Sequence, residues 1–355
     1  MSAHHDARRD NVKRAHLVPR SPSRSPSAKS ARGFGLVELM VALALGLVVV
    51  GGASVLFVST RQASTSTENL SRIQESTRTG YDLMVREIRE AGGTPCDSQV
   101  LVSDVLNGAQ SATPDWWATW GEPVRGFTGA TAFDGVATGA AVGERVAGTG
   151  AILVRYAERL NGVAIATHVT GTRTFTTTVL DHGVAAGDLL LACNYSQAAI
   201  FQASAVNTAN GTIQHALSAG ASGNCGNGLG LPTLCTAVGS PYEFSAGSQL
   251  GRFVAAGWYI GNNGRAVSGG RSLYRITRDG PEEVADGVTD LQTTFLVTGA
   301  ADYVVATAVT DWATVLAARI DLTFEGPDAG VSTVGPGARL HRVVSFTANF
   351  RNLLP

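Results

Sequence analysis

Four cysteines, one isolated glutamate and four histidines beyond the first 33 residues are the side chains of this 355-residue chain with the most chemistry to offer. Cys96, Cys193, Cys225 and Cys235 show no CxxC spacing and have no histidine close by, so they do not read as a metal-ligand set. An even number in an exported domain reads as disulfides, with three pairings open; Cys225 with Cys235 would close a Gly-rich loop and leave Cys96 with Cys193. Asp181 precedes His182, but sequence neighbours do not face each other as a catalytic pair must, and the chain has no GxSxG elbow. A turn around Gly183 is the expectation there. The stretch GNCGNGLGLP lacks the lysine and the strand-to-helix setting of a phosphate loop. Trp116, Trp117 and Trp120 could anchor a binding surface, yet core packing by at least two of them is the stronger expectation. No enzyme, cofactor or metal site is expected from these residues.

The isolated glutamate is Glu38, the only charge from Phe34 to Val58. Those 25 residues would make roughly 37 Å of helix at about 1.5 Å per residue, enough to span a bilayer. The run is too long for the core of a cleavable secretory signal, and no A-x-A site follows it promptly. Residues 1–33 hold eight Lys/Arg against two Asp, a balance of +6, which leaves −7 for the rest of a chain of net charge −1. The positive-inside rule puts that leader in the cytoplasm and the body outside. A mildly acidic body without a basic block gives no reason to expect nucleic-acid binding.

The elements that must carry Glu38 follow from periodicity. After Ser59, Leu70, Ile73, Thr77, Tyr81, Met84, Ile88 and Ala91 recur at helical spacing, with Glu68–Arg72 and Asp82–Arg86 at i,i+4. Gly92-Gly93 and Pro95 supply the stop, so one helix of about 87 Å is expected from Phe34 to Ala91, with Gly51-Gly52 as its weakest point. Beyond it lie nine short β-type runs: 151–157, 172–180, 188–194, 198–204, 252–260, 272–278, 291–297, 316–324 and 339–352. The fold class expected is α+β, a long N-terminal transmembrane and amphipathic helix carrying a β-rich antiparallel globular domain.

GFGLVELMVALALG resembles the class III signal of type IV prepilins: a basic leader ending in Gly33, then Phe34, then a glutamate at the fifth position of the mature chain. The resemblance implies that a prepilin peptidase cuts between Gly33 and Phe34 on the cytoplasmic side and methylates the new Phe34 amine. It also implies that Glu38 meets the Phe34 amine of a neighbouring helix when subunits stack. The rest resembles the PilW-like minor pilins, through MVREIREAGG before Cys96, CNYSQAAIFQAS around Cys193, WYIGNNG, SLYRITRDG, VADGVTDLQTTFLV and RVVSFTANFRN, in that order. Two departures stand out: the leader is unusually long, which makes a start downstream of Met1 an alternative, and the acidic stretch after the DLQ strand is reduced to TGAADYVVA. No metal site is inferred from that stretch.

The pilin-like organisation so implied is a cleaved cytoplasmic leader (1–33), a transmembrane half-helix (34–58), an amphipathic periplasmic half-helix (59–93) and a β-rich globular domain (94–355). The expected role is a minor pilin that primes pilus assembly and sits in the tip complex, serving twitching motility, adhesion and DNA uptake. Its implied partners are prepilin peptidase, the inner membrane, other minor pilins, the major pilin and a tip adhesin. The chain would wait in the inner membrane, single-pass with its N-terminus inside, and move to the pilus at the cell surface. Two rivals remain open: a type II secretion pseudopilin of the J class, and a signal-anchored periplasmic enzyme or binding module.

Overall fold

A computed structural model describes residues 33, 35–96, 100–331 and 337–353. The leader up to Arg32 and Phe34 lie outside these residues. The chain divides into two units, Met1–Val58 and Ser59–Pro355.

A single α-helix, α1 (Leu36–Glu90), runs without a break through Gly51 and Gly52. Their missing side chains cost helix stability but leave every backbone hydrogen bond available, so the expected weak point stays helical. Hydroxyls along α1 bond back to the carbonyl four residues earlier, as Ser54 does to Val50 at 2.8 Å and Thr67 to Ala63 at 2.9 Å. After Glu90 the chain turns through Gly92 at φ 73°, a left-handed conformation that glycine adopts without strain. Asn352 caps the helix end, donating to the carbonyls of Glu90 at 3.2 Å and Ala91 at 3.3 Å.

Within the second unit, α1 buries Asn69, Ile73, Gly80, Met84, Val85 and Ile88. The stripe is rotated slightly from expectation, since Leu70 is 38 % exposed and Asn69 takes the inner place. The reason is the approach of Gly326, on which a Cβ would sit only 3.3 Å from that of Asn69. Glu68–Arg72 forms at 2.9 Å, but Asp82–Arg86 does not: Asp82 lies 3.8 Å from Arg78, and Arg86 lies 3.9 Å from Glu158.

The β-region has two sheets. The first holds 11 strands: β1 (Leu101–Asp104), β2 (Val124–Phe127), β3 (Ala151–Val169), β4 (Thr174–Thr177), β5 (Leu189–Cys193), β6 (Gln197–Gln202), β7 (Ala205–Asn207), β8 (Thr212–Gln214), β9 (Gln249–Asn262), β10 (Arg271–Thr277) and β11 (Gly280–Asp286). Its main path is β1-β6-β5-β9-β3-β4-β8-β7, with β10 on β9, β11 on β10 and β2 on β3. The second holds β12 (Val288–Val297), β13 (Val304–Val305), β14 (Val315–Ala329) and β15 (Arg339–Asn349), in the order β13-β12-β14-β15. Each of the nine expected runs contains or overlaps a strand. The pairing is antiparallel except between β1 and β6, a parallel pair that departs from the expected all-antiparallel domain. The whole of β5 and five of the six residues of β6 are buried, which is why LLLAC and QAAIF read as continuous apolar runs.

One core unites the buried stripe of α1 with both sheets, joining Met84 and Ile88 to Trp258 and Leu273 on one side and to Phe324 and Ala348 on the other. Into it reaches Glu87, whose side chain is only 12 % exposed. Its carboxylate accepts from Arg275 Nε at 2.8 Å, Trp258 Nε1 at 2.8 Å and the Tyr156 hydroxyl at 3.1 Å. Three strands thus hold the helix through one charge, satisfied on both oxygens. Disulfides join Cys96 to Cys193 and Cys225 to Cys235, tying the helix exit to β5 and closing the Gly-rich loop. Glu87→Ala leaves Arg275 half-buried and unpaired, so it should lower unfolding stability by about 3–5 kcal/mol, with Glu87→Gln losing less. Urea unfolding of the full chain in detergent checks both.

Candidate functional site

At the N-terminal end the site is assembled from backbone and one carboxylate. Gly33 and Gly35 precede the helix, the Leu39 N–H donates to the Gly35 carbonyl at 3.1 Å, and Glu38 lies in the first turn. An acid there meets the partial positive charge of the free N–H groups at a helix start. Around it the side chains are exposed on every side, from Leu36 at 77 % to Phe57 at 68 %. A Cβ added at Gly46, Gly51 or Gly52 would meet nothing within 4 Å. The segment is long and apolar enough to cross a membrane, and none of its most apolar window is buried against the rest of the chain.

The candidate cysteines, histidines and tryptophans belong to the second unit. His182 is tied into its own loop by the Val184 N–H, which donates to its Nδ1 at 3.1 Å, and Gly183 sits at φ 66°. Trp116 packs edge-on to Phe133 at 5.7 Å and Trp120 against Phe253 at 6.1 Å; with Trp117, all three are half-buried. Among the described residues no group of three His, Cys, Asp or Glu is placed to hold a metal ion. His341 is exposed on β15.

Sequence reading missed a pair of buried histidines. The Phe244 N–H donates to His168 Nδ1 at 3.1 Å, so His168 carries its proton on Nε2 and gives it to His215 Nε2 at 2.9 Å. His215 then holds its proton on Nδ1. Burial pushes His168 down to about 4, and burial with His168 alongside pushes His215 down to about 3. The pair borders a cavity of about 250 Å³ beside the disulfide loop, with Arg173 and Tyr242 among its walls. The two histidines are 47 positions apart in the sequence, on β3 and just after β8, so no spacing rule could join them. Asp104 was also missed: burial raises its carboxyl to about 7 against the bonds from neighbouring backbone that favour the anion.

Residues 28–54 match the family described as the prokaryotic N-terminal methylation motif. No curated protein and no solved structure matches the chain. The motif, the apolar N-terminal helix and the β-rich domain support a type IV pilin-like or pseudopilin protein. Such a signal implies processing by a prepilin peptidase and assembly with other pilins, and with the apolar helix it fits anchoring in the inner membrane.

The histidine pair sets a pH dependence whose sign is fixed. Both are neutral in the folded chain, whereas the unfolded chain takes up protons below about 6.5, so their contribution is intact above that pH and is lost as pH falls toward about 4. Melting temperature measured across that window should fall, and a His168→Gln/His215→Gln variant, referred to its own value at about pH 7, should fall less steeply.

Proposed function

We propose that this chain is a minor pilin of a type IV pilus, of the PilW-like kind, and that it works by assembly rather than catalysis. The observation that carries the reading is Glu38: the one charge between Phe34 and Val58, in the first turn of an exposed apolar helix, inside the methylation motif. In the waiting subunit the carboxylate lies near the cytoplasmic interface, where an acid is tolerated. When subunits stack with a vertical offset, it moves in among apolar helices, and a buried carboxylate needs a partner. Cleavage after Gly33 creates one, the Phe34 amine of a neighbour.

On this reading residues 34–58 are the membrane and bundle half of the helix, 59–93 the periplasmic half, and 94–355 the domain displayed in the periplasm and then on the fibre. The subunit primes assembly with other minor pilins, and its partners include the major pilin and a tip adhesin. The J-class pseudopilin of a type II secretion system shares the signal, the helix and the β-rich body. Deleting the chain separates the two, because the minor-pilin reading expects lost surface pili and twitching with secretion intact.

Glu38→Ala should insert in the membrane and be processed normally, yet fall more than tenfold in sheared pili relative to wild type, because the amine loses its buried partner. Immunoblots of membrane and pilus fractions measure both. Normal incorporation of the variant would contradict the proposed pairing.

A further inference from the structure

We infer that β15 is an open docking edge that takes up an extended, net-acidic strand from another pilin-like subunit. The inference rests on the assembly reading above and names the surface and the kind of partner it uses.

The register of β15 on β14 shows which backbone groups are free. The Phe350 N–H donates to the Leu316 carbonyl at 3.0 Å, and Ala348, Phe346, Val344 and Arg342 lie opposite Ala318, Ile320, Leu322 and Phe324. In an antiparallel pair, bonds to the partner alternate with positions whose N–H and C=O point away. Phe350, Ala348, Phe346, Val344 and Arg342 therefore bond inward. His341, Val343, Ser345, Thr347 and Asn349 point their backbone groups outward, and all five residues are exposed. Among the described residues no strand lies on that side of β15 and no hydrogen bond reaches those outward groups.

Among the described residues the other free strand edges are guarded or short, β2, paired only with β3, being four residues long. The outer edge of β11 carries Pro281, Glu282 and Glu283, whereas β1, β7 and β13 have four, three and two residues. β15 has 11 residues, no proline or glycine, and β-branched Val343 and Thr347 on its solvent face. That is an edge suited to strand addition, in which main-chain bonds supply affinity and alternate side chains supply selectivity. Charge selects the partner. From Arg339 to the end of the chain there are three arginines and His341 but no acid. Arg339 faces Glu325 at 3.8 Å, while Arg342 and Arg351 make no ion pair among the described residues.

The test co-produces the full chain pairwise with each of the other prepilin-signal subunits of the same cell, extracts complexes in mild detergent and reads amide hydrogen exchange residue by residue. In the complex the amides of Val343, Ser345 and Thr347 should slow by on the order of tenfold or more, while Val344 and Phe346, already bonded to β14, change little. Ser345→Pro removes the central outward donor without touching a bond to β14 and should abolish the complex, and Arg342→Glu should weaken it about tenfold. Melting of each variant alone checks its fold; if Ser345→Pro unfolds, the wild-type exchange pattern and Arg342→Glu decide. A complex in which those amides stay fast, or which Ser345→Pro leaves intact, overturns the inference. So does protection in the chain alone that rises with its concentration, the mark of self-pairing, and so does a processed chain that binds none of the subunits. A leader still attached at Gly33 overturns the pilin reading itself, a different outcome from a cleaved chain with an unprotected edge.

Discussion

An apolar helix surface has to be covered, and residues 36–58 find no cover among the described residues of their own chain. Leucine, valine and phenylalanine side chains on all sides of that half-helix are exposed, and each buried equivalent would gain about 1.5–3 kcal/mol. Such a surface fits a helix covered by lipid or by other helices. On the proposed reading a single carboxylate at its start is tolerable at a membrane interface and costly inside a bundle, so Glu38 there calls for a cation.

The other half of the helix solves a different problem. Its covering is internal: Ile73, Met84 and Ile88 enter a core shared by both sheets, and Glu87 gathers Arg275, Trp258 and Tyr156 around one carboxylate. Buried charge of this kind adds little net stability but penalises any other placement of the helix, because each misplaced group would be left desolvated and alone. The C-terminal turn and the Cys96–Cys193 bond close the same junction from two further directions.

Legibility in the sequence followed how strongly each feature breaks its surroundings. Gly33 and Glu38 stand out because composition changes abruptly around them, and runs such as LLLAC and FVAAGWYI stand out because both faces are buried. β11 was invisible, since Pro281, Glu282 and Glu283 are the residues that guard an edge and also the residues that mask a strand. Asn69 and Leu70 exchanged roles because the approach of Gly326, more than 250 positions away, decides which face turns inward. Nothing in the sequence singles out Glu87 or joins His168 to His215, because both clusters are made only by tertiary contacts. The open edge of β15 needed the strand order, which no local pattern supplies.

The central claim is that Glu38 waits for an amine that exists only after cleavage at Gly33. Mass spectrometry of the N-terminus of the chain recovered from its own membranes tests this most directly. The account predicts a mature chain that begins at N-methyl-Phe34. A chain that still carries the residues preceding Phe34 would contradict it.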